Sequence, residues 1–291
     1  MLKFDTPQNT RIAPSPTGNA HIGFVRTAYL NYLAARSSGG KFILRIDDTD
    51  KERSKKEYED NLIQTMEWLG LEYDEIYHQS ERYDRYTKYA NEIIGGGWAI
   101  KSDNGATYLS PQEFRNEWTD LILGAVPIDV KQHEIIENLV ILRSDGSPTY
   151  HWASCIDDME TGVSLVIRGT DHTSNTAKHV HINDALGMMT HPKYAHVGLI
   201  FHNGKKISKR DGLADMGYYK ENYTPEAVLN AVLKLGWSHP DPSFDKKYPL
   251  VDKQMAIELF PEGHLKAVKS TLDTNKLDWL NKRYATKTAT A

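Results

Sequence analysis

Cysteine occurs once in this 291-residue sequence, at Cys155. A single thiol excludes an intramolecular disulfide and any zinc site built from several thiolates, so no structural zinc is expected, and it fits a reducing compartment. Long apolar runs are also missing, since none approaches the roughly 20 residues that a membrane-spanning helix needs. A membrane role is therefore set aside, no signal-like pattern opens the chain, and the cytoplasm is the expected location. Nor does positive charge dominate. Lysine and arginine total 35 against 39 acidic residues, for a formal net charge of −4. A protein that grips nucleic acid over its whole surface would be strongly basic, so any such contact here is local.

With 40% hydrophobic and 10% aromatic residues, the chain has ordinary material for packed cores and length for about two domains. Residues 11–13 and 42–46 read as buried strands. Between them, residues 25–37 carry apolar side chains at helical spacing and stop at Gly39-Gly40, which makes a strand–helix–strand unit. Residues 57–69 and 82–94 repeat the amphipathic helical pattern, the second closed by Gly95-Gly96-Gly97. Short apolar strands alternating with helices imply a parallel, doubly wound α/β sheet. From 98 to about 138 the pattern is less regular, with turn signals at Asp103-Asn104-Gly105 and Ser110-Pro111 and a strand pair expected around 120–128. Residues 139–143 are expected to resume the sheet, followed by a helix from Tyr150, a strand over 163–167 and a helix over 176–186. Helical segments over 225–235, 252–259 and 276–284 then follow, joined by Pro- and Asp-rich turns.

Two segments carry chemistry. The first, Arg11-Ile-Ala-Pro-Ser-Pro-Thr-Gly-Asn-Ala-His-Ile-Gly-Phe24, is a turn set by Pro14, Pro16 and Gly18 that delivers His21 and Gly23 to the start of a helix. The free N–H groups of a helix N-terminus suit anionic phosphate. The second, Lys205-Lys-Ile-Ser-Lys-Arg-Asp-Gly212, brings Lys206, Ser208 and Lys209 on a loop. Each alone is commonplace. Together they resemble the HIGH and KMSKS signatures of class I aminoacyl-tRNA synthetases, and RIAPSPTG, LRIDDTD, LRSDGSPTYHWA, VIRGTDH and KKISKRDG follow one another in the order found in glutamyl-tRNA synthetases.

That resemblance implies a Rossmann-type doubly wound fold with a short connective insertion and a C-terminal all-helical stem domain. Residues 1–97 would be the first half of the catalytic domain and 98–138 the insertion that handles the tRNA acceptor end. Residues 139–215 would be the second half with its lysine loop, and 216–291 the stem, with the anticodon-binding domain absent. It further implies activation of L-glutamate by ATP with Mg2+, then transfer to the 3′-terminal adenosine of tRNA(Glu). Here the substrate carboxylate attacks the α-phosphorus, so the protein positions reactants and stabilises charge without a nucleophile of its own. Further implications are a monomer, with a separate subunit as one source of anticodon reading. Two other readings stay open: a paralogue that glutamylates a modified tRNA base or another acceptor, and a lapsed domain that only binds tRNA.

Residue by residue, the resemblance gives the triphosphate to His21, Lys206 and Lys209, and the ATP pocket to Pro14, Ser15, Gly18, Gly23, His172 and Ser208. Glutamate falls to Arg11, Ala13, Ser15, Asp47, Tyr150, Ser154 and Arg168. A guanidinium fork from Arg11 and Arg168 fits a γ-carboxylate better than a neutral amide, while Asp47 would accept the substrate ammonium and Tyr150 would hydrogen-bond the glutamate. Three positions depart from the family pattern: Phe24 replaces the second histidine of HIGH, Asp47 is one methylene shorter than the usual glutamate, and Ser154 replaces an asparagine. His172, His179, His181, His191, His196 and His202 match no common metal-ligand spacing. Trp98, Trp118 and Trp152 read as core or interface aromatics, and base stacking by Trp118 is the lesser alternative.

Overall fold

The structure is a computed structural model that describes residues 4–207 and 213–289. Three parallel strands begin it: β1 (Thr10–Ile12), β2 (Phe42–Ile46) and β3 (Glu75–His78), in register with Arg11 opposite Ile43 and Leu44 opposite Ile76. Every residue of β1 and β2 is buried, as expected of apolar strands covered on both faces. Between them run α1 (Ile22–Ser38) and α2 (Lys56–Trp68), and α3 (Tyr83–Gly95) follows β3. Gly39 ends α1 in the left-handed region at φ 77° and returns its N–H to the carbonyl of Ala35.

The irregular stretch folds into two pieces. Strands β4 (Ala99–Lys101) and β5 (Thr107–Leu109) form an antiparallel hairpin, and β6 (Glu117–Asp120) with β7 (Gly124–Pro127) forms another. A capping box between Asp129 and Gln132 starts α4 (Val130–Glu137). Residues 139–143 do not resume the parallel sheet. Instead β8 (Val140–Leu142) pairs antiparallel with β5, and the Leu109 N–H to Leu139 carbonyl bond holds it against the hairpin. It is β6 that joins the parallel system.

Helix α5 (Tyr150–Glu160), β9 (Leu165–Gly169), α6 (Thr173–Ala185) and β10 (Lys193–Val197) complete the second half. β10 pairs in parallel with β9 and, on its other side, with β6. The N–H groups of Ser164 and Leu165 donate to the carbonyl of Asn9, which sets β9 beside β1. The resulting order is β3-β2-β1-β9-β10, the doubly wound arrangement in which connectivity reverses between β1 and β9. Beyond it lie β11 (Ile200–His202), β12 (Lys205–Lys206), α7 (Met216–Asn222) and α8 (Pro225–Lys234).

The C-terminal part is mainly helical. It contains β13 (Trp237–Ser238), α9 (Phe244–Lys247), α10 (Lys253–Leu259), β14 (His264–Leu265), β15 (Ser270–Thr271) and α11 (Thr274–Ala289). Short ladders tie it together: β13 pairs with β14, and β15 runs parallel to β11. Helix α1 is buried on almost every side because β1, β9, α8 and α10 all pack on it. Its apolar residues all round are those of a central helix rather than a surface one. Among the described residues no helix is long and apolar enough to cross a membrane.

Candidate active site

A cleft of about 520 Å³ opens at the carboxyl ends of β1 and β9, where strand order reverses. β1, the turn after it and the start of α1 contribute Arg11, Ala13, Pro14, Ser15, Gly18, His21 and Gly23 to its wall, and the opposite side contributes Tyr150, Arg168 and His172. Thus ten of the residues expected at the site line one cavity. Asp47 and Ser154 do not. Ser208 and Lys209, together with the side chain of Lys206, lie outside the described residues. The backbone of Lys206 is described in β12, opposite Phe201, and Ile207 beside it reaches the cleft wall.

The turn before α1 is fixed from several directions. The carbonyls of Pro14 and Pro16 accept from the N–H groups of Asp47 and Lys55 at 2.9 and 3.0 Å. Asn61 Oδ1 accepts from the Ala20 N–H at 2.8 Å, and Ile22 donates to the carbonyl of Ala214 at 3.0 Å. His21 is the N-cap, extended at φ −132° and ψ 162°, with Nδ1 accepting from the Phe24 N–H at 3.1 Å. That bond assigns the ring proton to Nε2, so the imidazole presents a donor edge away from the helix. A helix N-terminus and an imidazole donor at one end of a cleft suit an anion.

Behind the cleft, arginines and aspartates form a dry network. Asp158 Oδ1 accepts from Arg11 Nε at 3.1 Å and from Arg45 Nη1 at 2.6 Å. Arg45 also donates from Nε to Asp47 Oδ1 at 2.7 Å and from Nη2 to Ser154 Oγ at 3.1 Å. Asp47 and Ser154 are therefore partners of Arg45 rather than parts of the cleft wall. Burial pushes the Asp47 carboxyl up to about 6 against the pull of Arg45. Burial opposes ionisation of Asp158 too, yet two guanidinium groups outweigh it and hold its carboxyl below the usual range.

Arg168 differs from its neighbours. It is buried, and no carboxylate among the described residues lies within ion-pairing distance; its contacts are His196 Nε2 at 3.1 Å, Thr176 Oγ1 at 2.6 Å and, more distantly, His179 Nδ1 at 3.5 Å. All three are neutral groups, since burial, reinforced by the cation, drives the pKa of His179 down, and burial lowers that of His196 as well. A buried guanidinium without a counter-ion is costly, and one at a cleft wall is poised for an anion from outside. His172, whose pKa burial and Arg168 lower to about 4, lies across from Tyr150 with ring centroids 6.3 Å apart.

Sequence reading missed Asp120, Asp158, Thr176 and His196. Asp158 was open to detection, because Tyr150, Ser154 and Asp158 recur at four-residue spacing and share one face of α5. Asp120 and His196 carried no such signal, being 76 residues apart and joined only when β6 pairs with β10. Trp118 is buried edge-on against Tyr194 and His196, which makes it a core aromatic. Among the described residues no group of three or more His, Cys, Asp or Glu side chains is arranged to hold a metal ion.

Strand order, the capped helix and a cleft at the reversal point define a Rossmann-type α/β protein. The sequence profile of the catalytic domain of class I tRNA synthetases (E and Q) matches residues 8–116 and 108–279. The chain belongs to that family. It is 43% identical over 279 residues to glutamate–tRNA ligase 2 of Neorickettsia sennetsu and 37% identical over 316 aligned positions to glutamate–tRNA ligase of Francisella tularensis subsp. novicida. Each alignment covers 94% of this chain, and the chain spans 65% of the length of either relative. The crystal structure of a glutamate tRNA ligase from Elizabethkingia meningosepticum, in complex with its amino acid, superposes with a TM-score of 0.84. That match has 28% identity and covers 96% of this chain and 70% of the other.

Proposed function

We propose that this chain activates L-glutamate with ATP to glutamyl-adenylate and transfers the glutamyl group to the 3′-terminal adenosine of tRNA(Glu). The observation that carries the reading is Arg168, a buried guanidinium at the cleft wall with no carboxylate partner among the described residues. A γ-carboxylate supplies the missing charge, whereas the amide of glutamine leaves it uncompensated. Arg11 faces the same cleft with Nε already bound to Asp158, so its terminal nitrogens are oriented as a second fork.

The remaining roles follow from this placement. ATP would lie along the turn before α1, with phosphates at the helix N-terminus and the His21 Nε2–H directed toward them; Lys206 and Lys209 would close over the β- and γ-phosphates. Magnesium would ride on those phosphates, since the described residues offer it no cage of carboxylates. The carboxylate oxygen of glutamate attacks the α-phosphorus and pyrophosphate leaves. Residues 98–138, which share the parallel sheet through β6, would take the acceptor end.

Transfer of radiolabelled glutamate and of glutamine to total tRNA, with ATP and magnesium, tests the reading. The expected result is glutamate transfer that prior periodate oxidation of the tRNA abolishes, with little glutamine transfer. Transfer that survives periodate would move the acceptor away from the 3′ end. No transfer with any tRNA would leave a domain that only binds.

A further inference from the structure

We propose that Asp120 and His196 are positioning residues for Arg168, fixing through a defined imidazole tautomer the direction in which its guanidinium meets the substrate side chain. The proposal rests on the reading of Arg168 as the partner of that carboxylate.

Asp120 ends β6 opposite Tyr194 of β10, two residues before His196, and Arg168 lies opposite His196 in β9, so pairing of β10 with both neighbours brings the three together. Asp120 and His196 are buried at 2% and 0% exposure, too deep to meet a substrate themselves. Asp120 Oδ2 accepts from His196 Nδ1 at 2.7 Å and from its backbone N–H at 3.0 Å. Asp120 Oδ1 accepts from the N–H groups of Ile122 and Leu123 at 2.8 and 2.9 Å. Both oxygens therefore face donors only, and the imidazole proton must be on Nδ1. Nε2 is left as an acceptor, and it receives Arg168 Nε–H at 3.1 Å. Thr176 Oγ1 accepts from Arg168 Nη2 at 2.6 Å and lies 3.1 Å from the same Nε2. The Tyr194 ring, 5.7 Å from the Arg168 Cζ, closes another side of the guanidinium.

This arrangement uses Nε and one Nη2 hydrogen of Arg168, with Nη1 3.5 Å from His179 Nδ1, and orients the rest of the fork. Reversing the tautomer would set an N–H on His196 against the N–H of Arg168. Asp120→Asn does that: an amide nitrogen placed at Oδ2 must donate to Nδ1, which drives the proton to Nε2, and one placed at Oδ1 opposes the Ile122 and Leu123 N–H groups.

The test is steady-state charging of total tRNA by the 291-residue chain and its variants. The glutamate KM is expected to rise about tenfold or more in Asp120→Asn, following the direction of Arg168→Ala, while the ATP KM and the preference for tRNA stay as in the wild type. An unchanged glutamate KM in Asp120→Asn, alongside a raised one in Arg168→Ala, would overturn the positioning role alone. Parallel increases in the glutamate and ATP KM of Asp120→Asn would also overturn it, since they mark a structural defect. An unchanged glutamate KM in Arg168→Ala, or no charging by the wild type, would overturn the reading of the pocket and this proposal with it. If Asp120→Asn fails to fold, His196→Leu and His196→Gln replace it. The leucine removes the acceptor and the glutamine keeps one, so a higher glutamate KM for leucine is expected and equal values would overturn the proposal.

Discussion

A Cβ placed on Gly23 would lie 3.0 Å from Nδ1 of His21 and 3.1 Å from its Cε1. The glycine thus leaves the imidazole, which lines the cleft, the space in which it caps α1. In Gly23→Ala the ring must move by some tenths of an ångström or give up the Phe24 N–H. A lost cap costs about 1 kcal/mol of stability, while a donor displaced from a developing charge costs on the order of tenfold to a hundredfold in turnover. The effects should separate: a small drop in the thermal midpoint, a large drop in kcat, and a modest change in the glutamate KM. Wild-type turnover in the alanine variant would show that His21 is not where the charge develops.

The strand–helix units were legible because their signals are local. Apolar strands, amphipathic helices and the Gly39 stop each lie within a short window, and the structure has β1, α1, β2 and α2 within a few residues of their expected bounds. The site residues on the first turn were legible for the same reason. What could not be read was pairing. Residues 139–143 are apolar enough for a central strand, but partner choice is a long-range matter, and the hairpin at 99–109 captured them. Asp47 likewise satisfies a motif, yet Arg45, two residues away on the same face of its strand, holds its carboxylate.

Acid should destabilise the fold from about pH 6.5 downward. Burial lowers the pKa of His151 to about 3 and that of His172 to about 4, and it depresses His179, His181 and His196 as well. Below pH 6.5 the unfolded chain takes up protons that the folded chain refuses, so stability present at neutral pH is lost as pH falls. Each such histidine contributes on the order of 1 kcal/mol per pH unit. Asp47 works the other way between about pH 6 and 4, because its raised pKa lets the folded state bind a proton first. Five histidines outweigh one aspartate. Urea midpoints should therefore fall from pH 7 to pH 5, and His151→Gln should flatten the slope; a midpoint that holds or rises would mean the histidines are charged in the folded state.

Gly198 marks a close approach between the end of β10 and the C-terminal part. A Cβ there would stand 2.0 Å from the Val268 carbonyl oxygen, a distance that backbone must yield to relieve. The Gly198 N–H donates to the Lys266 carbonyl at 3.1 Å and its own carbonyl accepts from Arg26 Nη1, so helix α1, the end of β10 and the 264–271 segment meet at this residue. Gly198→Ala should cost roughly 1–3 kcal/mol, the usual range for overpacking, and should expose 264–271 to limited proteolysis ahead of the rest. Cleavage patterns identical to the wild type would show that the segment absorbs the methyl group.

Asp158 and Asp47 both bind Arg45, but their removal should differ. Among the described residues Asp158 is the carboxylate that pairs with Arg11, and it is shared with Arg45 at 2.6 Å; Asp47 pairs with Arg45 at 2.7 Å. In Asp47→Asn, Arg45 keeps Asp158 and has Asp157 at 3.9 Å, so its charge stays compensated. In Asp158→Asn, Arg11 is left in the dry interior without an ion-pair partner among the described residues, and two cations, Arg11 and Arg168, line the cleft. Removing one partner of a buried pair costs about 3–5 kcal/mol, which is a large share of the stability of an ordinary domain. Asp158→Asn should therefore lower the urea midpoint well below that of Asp47→Asn, and saturating glutamate should recover part of the loss, because the ligand returns negative charge to the same arginines. Equal midpoints for the two variants would place the compensation of Arg11 elsewhere.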